Sequence, residues 1–148
     1  MGKKTVLIVE DNDLNLRLAA DLLKMAQFHV LEAVDAEHGL QVALEELPDL
    51  ILMDIQLPKM DGLTATRIIK KDPALRQIPV VAVTGYAMVG DEEVARRAGC
   101  CGYITKPIDT RSFAATVAGF LKSDADPGSD GRQGSEQTRV PSYSIVTD

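Results

Sequence analysis

The segment LILMDIQLPKMDG, residues 50–62, decides the fold. It opens with four apolar residues, Leu50 to Met53, that do not alternate with polar ones. An apolar run of this kind is typical of an interior strand of a parallel sheet, which helices cover on both faces. The run ends at a single carboxylate, Asp54, and a turn containing Pro58 and Gly62 follows it. We therefore expect a buried strand that carries an acidic side chain at its carboxyl end.

The same pattern recurs on both sides of this segment. Short apolar runs alternate with amphipathic segments of helix length, which indicates repeated strand–helix–strand units around a parallel sheet. The predicted strands are residues 6–9, 29–34, 50–53, 80–83 and 102–105. The second and the fifth are more mixed in composition, as expected for sheet edges. The sequence thus predicts an α/β fold, a doubly wound five-stranded parallel sheet flanked by five helices.

The predicted helices contain apolar stripes and capping residues. The stripes with helical spacing, which are expected to face the core, are Leu14, Leu18 and Leu22; Leu40, Ala43, Leu44 and Leu47; and Phe113, Val117, Phe120 and Leu121. Asp35, Asp61 and Asp109 precede helical segments and are the expected N-caps. Gly99 is the expected C-cap of the fourth helix.

Composition and charge exclude several classes of protein. The 148 residues include 16 basic and 22 acidic side chains, a net charge of −6, so the chain repels nucleic-acid phosphates and anionic lipids. Its purely apolar runs are far shorter than the roughly 20 residues that span a bilayer, and no secretory signal is visible. We expect a soluble cytoplasmic protein. The neighbouring Cys100 and Cys101 are too close for an ordinary disulfide, and no histidine near them completes a metal site.

The last 27 residues differ in composition from the rest. Residues 122–148 contain five Ser, three Gly and two Pro, but only five apolar residues. So few apolar side chains do not offset the entropy of ordering the segment. We therefore expect a globular body over residues 1–121 and a disordered polar tail over residues 122–148, which is too polar to form an output domain.

Chemically active side chains follow four of the predicted strands. Glu10 and Asp11 follow the first strand, Asp54 the third, Thr84 the fourth and Lys106 the fifth. The carboxyl ends of parallel strands meet at one edge of the sheet, so these side chains should converge. Crowded carboxylates repel one another, and a hard cation such as Mg²⁺ offsets that repulsion. With a lysine and a hydroxyl to hold phosphoryl oxygens, such a site can form an aspartyl phosphate.

Four sequence segments together carry a family resemblance. They are VLIVEDN at 6–12, LMDIQLPKMDG at 52–62, VAVTG at 81–85 and YITKP at 103–107. In this order, each at a strand end, they resemble the receiver domain of bacterial two-component response regulators, specifically the stand-alone single-domain type. The resemblance covers residues 5–121. It implies the strand order 2-1-3-4-5, Mg²⁺ as cofactor, a sensor histidine kinase or histidine phosphotransfer protein as phosphoryl donor, and a downstream protein target.

The resemblance also implies a role for each site residue. Asp54 would be the phospho-acceptor, and Thr84 and Lys106 would bind the phosphoryl oxygens. The implied Mg²⁺ ligands are Glu10, Asp11, Asp54 and the backbone carbonyl of Gln56. The peptide bond between Lys106 and Pro107 is expected to be cis, a geometry that costs only about 0.5 to 1 kcal/mol before proline.

Thr84 and Tyr103 are the expected switch residues. Tyr103 stands where the family has its aromatic switch residue, so we expect it to turn inward when Thr84 moves toward a phosphoryl group. That movement would remodel the surface of the fourth helix, fifth strand and fifth helix, residues 88–121, where a partner would bind. Homodimerisation through the fourth and fifth helices is left open.

Two other classes of function compete with this one. Haloacid-dehalogenase-like phosphatases also form an aspartyl intermediate, but they place a second Asp two residues after the nucleophile, where this chain has Gln56. An adaptor that has lost phosphorylation is disfavoured by the complete set of site residues. We therefore expect a phosphorylation switch rather than an enzyme that turns over a substrate.

Overall fold

The computed structural model of the chain describes residues 2–85 and 90–125. Within them, strands and helices alternate along the chain. The strands are β1 (Thr5–Val9), β2 (His29–Ala33), β3 (Leu50–Asp54), β4 (Val80–Thr84) and β5 (Gly102–Thr105). The helices are α1 (Asp13–Met25), α2 (Ala36–Glu46), α3 (Gly62–Lys71), α4 (Asp91–Ala98) and α5 (Phe113–Ala125).

The strands form one parallel sheet in the order β2-β1-β3-β4-β5. This confirms the predicted doubly wound α/β fold and its strand order. Each strand agrees with the predicted one to within one residue at either end. The chain leaves β1 toward β2 and then returns to β3 on the other side, so the connections diverge between β1 and β3. In open sheets of this kind the crevice at that point, beyond the carboxyl ends, is where ligands bind.

Helices cover both faces of the sheet, which explains the apolar strands. Leu7 and Ile51 belong to a core cluster beneath α2, α3 and α4, whereas Val6 and Leu52 belong to a second cluster beneath α1 and α5. Successive strand residues point to opposite faces. Because both faces are covered, successive residues must all be apolar, and the period of two disappears from the sequence.

The apolar stripe predicted for α1 was largely wrong. Leu14 is 75% exposed and Leu18 is 39% exposed, and only Leu22 packs against the core, half-buried. The buried residues of α1 are Leu16, Ala19, Ala20 and Leu23. Both stripes have helical spacing, and spacing alone does not choose between them. The buried stripe contains two alanines, whose small side chains let the helix lie close to the sheet.

The stripe predicted for α2 was right for its first two residues only. Ala43 is buried and Leu40 is half-buried against the core, but Leu44 is 50% exposed and Leu47 is 56% exposed. Helix α2 packs on the sheet through small residues. A Cβ added to Gly39 would lie 2.8 Å from a β1 side chain. This close approach turns the larger side chains of α2 outward.

The α5 stripe and most of the caps agree with the predictions. The buried residues of that stripe are Phe113, Val117 and Leu121, with Phe120 half-buried. Asp35 and Asp61 each accept a backbone N–H of the first turn of their helices at 2.8 Å. Gly99 ends α4 with a φ of 115°. Asp109 differs, since it begins a separate turn and α5 starts only at Phe113.

The described chain ends in α5, which runs to Ala125 and so continues past the predicted body at Leu121. The predicted disordered tail lies, from residue 126 onward, outside the described residues. Cys100 is buried before β5, its neighbour Cys101 is exposed, and neither forms a disulfide. Within the described residues, no helix has the length and apolar character needed to cross a membrane.

Candidate functional site

The five predicted site residues converge at the carboxyl edge of the sheet. Glu10 follows β1, and its backbone N–H donates to the carbonyl of Ala33 at 3.0 Å. Asp54 and Thr84 are the last residues of β3 and β4, which are adjacent strands. Lys106 follows β5, and its backbone N–H donates to the carbonyl of Thr84 at 2.7 Å. The sheet hydrogen bonds therefore continue into the site and hold its backbone in place.

Three carboxylates form the acidic part of the site. Glu10 and Asp54 are buried, at 5% and 3% exposure, whereas Asp11 is exposed. One oxygen from each lies within 4.8 Å of the others. Two of these groups are thus removed from water, while the third lies on the solvent side of the cluster.

Lys106 supplies the positive charge of the site. Its Nζ lies 2.8 Å from Oε1 of Glu10 and 3.0 Å from Oδ2 of Asp54. Burial opposes the charged form of Lys106, but its hydrogen bonds to the two carboxylates and their negative charges outweigh burial, so the pKa of Lys106 is raised. The peptide bond from Lys106 to Pro107 is cis, as predicted.

The Asp54 carboxyl group has a strongly shifted pKa. Burial, followed by the negative charge of Glu10, raises the pKa of Asp54 from 3.8 to about 6, although Lys106 acts in the opposite direction. One lysine therefore only partly offsets the repulsion between these carboxylates.

The residues present fit a magnesium ion. The described cluster offers oxygen ligands from Glu10, Asp11 and Asp54, and Mg²⁺ prefers oxygen ligands and keeps part of its water shell. The exposed Asp11 leaves the cluster open to solvent on one side. The backbone N–H of Gln56 donates to Oδ1 of Asp54 at 3.0 Å, which keeps the backbone of Gln56 beside the carboxylates.

Gly62 has a role in the site that the sequence did not reveal. Its N–H donates to the carbonyl of Ile55 at 2.9 Å, which closes the loop after Asp54. A Cβ at this position would collide with the backbone carbonyl oxygen of Asp54. From the sequence we interpreted Gly62 as a turn residue only. The Asp-Gly pair signalled a turn, but the close approach of α3 to β3 is a tertiary contact.

Asn12 is a second contributor that the sequence did not reveal. Its backbone N–H donates to Oε2 of Glu10 at 3.1 Å, and its side chain accepts the N–H of Asn15 as the N-cap of α1. The capping preference of Asn could have signalled this position. The start of α1 thereby orients the first carboxylate of the site.

Tyr103 lies inward in the structure, next to β4. It pairs with Ala82 in the sheet register, is only 6% exposed, and belongs to the core cluster beneath α3 and α4. Its hydroxyl is buried and makes no hydrogen bond with the described residues. Burial, and next the charges of Asp91 and Glu92, raise the pKa of Tyr103 to about 12. The predicted turn of Tyr103 between two positions stays a prediction.

Known proteins resemble this chain in sequence. Residues 6–118 match the family model of the response regulator receiver domain. The polar-differentiation response regulators DivK of Brucella anthropi and Brucella ovis are each 48% identical to this chain over 118 residues. These alignments cover 80% of this chain and 96% of each relative.

Solved structures show the same fold. A CheY-like response regulator receiver domain protein from Methanospirillum hungatei is 28% identical, with a TM-score of 0.79, over 86% of this chain and 100% of its own. The receiver domain of a sensor histidine kinase from Pseudomonas aeruginosa is 30% identical, with a TM-score of 0.75, over 82% of this chain and 100% of its own. That structure contains a magnesium ion coordinated in the active site cleft.

Proposed function

Because this chain belongs to the response regulator receiver domain family, we propose that it is a stand-alone phosphorylation switch of a cytoplasmic two-component phosphorelay. Asp54 accepts a phosphoryl group from a phosphohistidine on a sensor histidine kinase or a histidine phosphotransfer protein. One observation carries this proposal. The buried carboxylate of Asp54 lies 3.0 Å from Nζ of Lys106 and beside the carboxylates of Glu10 and Asp11.

The proposed transfer uses Asp54 as a nucleophile. One carboxylate oxygen attacks the phosphorus atom, an O–P bond forms, the P–N bond of the phosphohistidine breaks, and the imidazole nitrogen keeps the electron pair. The ammonium of Lys106 holds one phosphoryl oxygen. The hydroxyl of Thr84, at the end of the adjacent strand, holds another. These groups stand ready before the reaction, so their electrostatic stabilisation requires little reorganisation.

A bound magnesium ion belongs to this proposal. Its protein ligands would be Glu10, Asp11, Asp54 and the backbone carbonyl of Gln56. When bound, Mg²⁺ supplies positive charge that offsets the repulsion between the carboxylates and the phosphoryl oxygens. The raised pKa of Asp54 supports this assignment, because burial and the charge of Glu10 both disfavour the ionised carboxylate, and a cation would favour it.

The beginning of α1 is the proposed docking site for the phosphoryl donor. Leu14 and Leu18 are exposed one turn apart, close to the acidic edge, and Asn15 and Arg17 lie between them. Exposed apolar side chains beside a reactive edge are suited to contact a partner protein. The leucines would supply apolar contact area, and Asn15 and Arg17 would supply polar contacts beside it.

The proposed signal passes through Thr84 and Tyr103. A phosphoryl group adds nearly two negative charges and three acceptor oxygens, which attract the Thr84 hydroxyl. Tyr103 pairs with β4 two residues before Thr84 in the register, so a shift at the end of β4 changes its packing. The α4, β5 and α5 surface would then differ between the two forms, and a downstream protein would recognise the difference.

The protein is not proposed to be a turnover enzyme. Gln56 occupies the position two residues after Asp54, and its amide does not act as a general acid or base. Phosphoryl transfer therefore sets a switch, and the later hydrolysis of the acyl phosphate resets it; neither step processes a substrate for its own sake.

Intact-mass measurement tests the proposed function. The protein is incubated with Mg²⁺ and phosphoramidate, and one phosphoryl group per chain is expected. The group should be absent after Asp54→Asn and after treatment with excess chelator. Asp61→Asn is the matched control, since asparagine keeps the N-cap of α3 and the site is unchanged.

Two results would contradict the proposal. One is that the Asp54→Asn protein is still phosphorylated, at another residue, to the same extent as the Asp61→Asn protein. The other is steady release of inorganic phosphate over many turnovers without accumulation of the acyl phosphate, which would indicate a phosphatase.

A further inference from the structure

Three of the exposed large apolar side chains lie on α2, at its C-cap and on α3. Leu44 and Leu47 are 50% and 56% exposed at the end of α2, and Ile68 is 41% exposed in α3. Helix α2 packs directly against α3. These side chains are therefore candidates for a single surface, distinct from the acidic edge and from α1.

The exposed leucines of α2 lie on its α3 side. Glu37, Leu40, Leu44 and Leu47 are spaced by three, four and three residues, which places them on one stripe of the helix. At the first position of that stripe, Oε1 of Glu37 lies 3.7 Å from Nζ of Lys59. Lys59 belongs to the loop that leads into α3. The stripe therefore borders α3.

Ile68 lies on the α2 side of α3. Thr66 and Lys70, two residues before and after it, face the opposite neighbour, α4. Thr66 Oγ1 is 3.9 Å from Sγ of Cys100, and a Cβ on Gly99 would contact Lys70. Residues two apart in a helix point in nearly opposite directions. Ile68 consequently points toward α2 and closes an apolar seam with the leucines.

The two helices beside this seam have opposite charges. Helix α2 contains three glutamates and no lysine or arginine. Helix α3 contains one arginine and two lysines and no acidic residue. Two of these α3 cations, Arg67 and Lys71, are exposed, as is Glu45 on α2. We define the α2–α3 face as the apolar seam of Leu40, Leu44, Leu47 and Ile68 together with the charged residues Glu37, Glu45, Arg67 and Lys71.

Such a face is complementary to itself. A two-fold axis that runs along the seam, parallel to the two helices, places the acidic α2 of each copy over the basic α3 of the other. The two apolar seams then meet. We propose that the α2–α3 face pairs two copies of this chain in a symmetric dimer. The pairing leaves α1 and α5, on the other side of the sheet, uncovered, and the acidic edge stays open in both copies.

Other occupants match the charges less well. Residues 122–148 of the same chain have three basic and five acidic residues, so they would meet attraction on α3 and repulsion on α2. A uniformly basic partner helix would likewise be repelled by α3, and a uniformly acidic one by α2. A second copy presents a helix of opposite charge to both α2 and α3.

Analytical ultracentrifugation of the full chain tests this dimer. The wild-type protein should show a monomer–dimer equilibrium that depends on concentration. The double variant Leu44→Ser, Ile68→Ser should raise the dimer dissociation constant at least about tenfold, because each copy loses two apolar contacts. Both positions are half-exposed, so the fold should be retained, which circular dichroism verifies.

A charge-reversal pair gives a positive readout. Variant one carries Glu45→Lys and Glu37→Lys, and variant two carries Arg67→Glu and Lys71→Glu. Each variant should be monomeric alone, since its α2 and α3 surfaces then carry charge of the same sign. An equimolar mixture should form heterodimers. Misfolding could explain why each variant is monomeric alone, but it could not explain association that is restored on mixing.

Val94→Ser is the matched control, because Val94 is also half-exposed but lies on α4. It should leave the dimer intact. The proposal is overturned if the wild-type chain stays monomeric at every concentration, if Val94→Ser disrupts a dimer that the seam variants leave intact, or if the two charge variants fail to associate when mixed.

Discussion

Asp54 combines the fold and the chemistry of this protein in one side chain. It ends the buried strand β3, where an apolar residue would pack more favourably, and burial together with Glu10 raises the pKa of Asp54 to about 6. Its ionised form is therefore less favourable in the folded chain than in the unfolded one. The site keeps a carboxylate at a cost in stability, as expected where chemistry requires it.

Asp54→Asn should stabilise the metal-free protein. At neutral pH and with excess chelator, the free energy of unfolding should rise by about 1 to 3 kcal/mol, because the buried charge of Asp54 and its repulsion with Glu10 both disappear. The folded pKa of about 6 lies above the unfolded value near 3.8, so the contribution of Asp54 to the free energy of unfolding is most favourable below pH 3.8 and decreases as the pH rises through 6. Urea unfolding between these pH values measures both effects.

The Asn variant should lack this decrease, and Asp61→Asn should retain it. The prediction is contradicted if the wild-type free energy of unfolding increases over the same pH interval and does not differ from that of the Asp54→Asn protein. The ionised Asp54 carboxylate would then not destabilise the fold.

Helix α1 shows how an element can satisfy a pattern in two ways. Its sequence contains a leucine stripe that the structure exposes and a stripe of leucine and alanine that it buries. Helical spacing predicted the helix correctly. It did not predict which stripe faces the sheet, because that depends on how closely the helix approaches β1.

Two leucine substitutions in α1 distinguish its faces. Leu23 is fully buried and Leu14 is 75% exposed. Leu23→Ala should lower the free energy of unfolding by about 2 to 5 kcal/mol, because it leaves a cavity. Leu14→Ala should change it by less than about 0.5 kcal/mol. Thermal or urea denaturation measures both, and equal losses at the two positions would contradict the orientation of α1.

Two glycine substitutions in helices should have opposite signs. Gly62→Ala should destabilise the protein by about 3 kcal/mol or more, because the new Cβ collides with the carbonyl of Asp54 at the start of α3. Gly119→Ala in α5 should stabilise it by about 0.5 to 1 kcal/mol, since the position is exposed and the new Cβ would meet no tertiary neighbour within 4 Å among the described residues. The denaturation midpoints of the two variants should therefore move in opposite directions from wild type. A tolerated Gly62→Ala would mean that α3 is free to move away from β3.

At the scale of the whole molecule, three chain segments distant in sequence form the acidic cluster and its lysine. Each strand ends where its neighbour ends, so the sheet brings together the carboxylates after β1 and β3 and the lysine after β5. Binding a cation there should stabilise the entire fold, because the unfolded chain has no such cluster.

Mg²⁺ should raise the melting temperature in a concentration-dependent manner. A hundredfold excess over the dissociation constant corresponds to about 2.7 kcal/mol of stabilisation. Asp11→Asn should remove most of this increase, yet leave metal-free stability within about 0.5 kcal/mol, because Asp11 is exposed. Calorimetry with and without chelator measures the difference. An equal Mg²⁺ response in wild type and the Asp11→Asn variant would place the ion elsewhere.

The sequence by itself determined the strands, the fold class and which polar side chains stand at the carboxyl ends of the strands. Apolar runs without alternation require a sheet covered on both faces, and parallel strands align their carboxyl ends, so Glu10, Asp54, Thr84 and Lys106 had to lie at the same edge of the sheet. These conclusions depend on local pattern and on the geometry common to all parallel sheets. The resemblance to a known family supplied the strand order, which the patterns alone did not contain.

Only the tertiary structure decided which helix faces are buried, why Gly62 is required and where charge is left unbalanced. Each of these depends on distances between segments far apart in the chain. The approach of α2 to β1 through Gly39 turned two leucines outward, and the packing of α2 beside α3 placed an acidic and a basic helix together. A linear pattern records spacing along one element, whereas burial and electrostatic energy depend on what the neighbouring elements bring close.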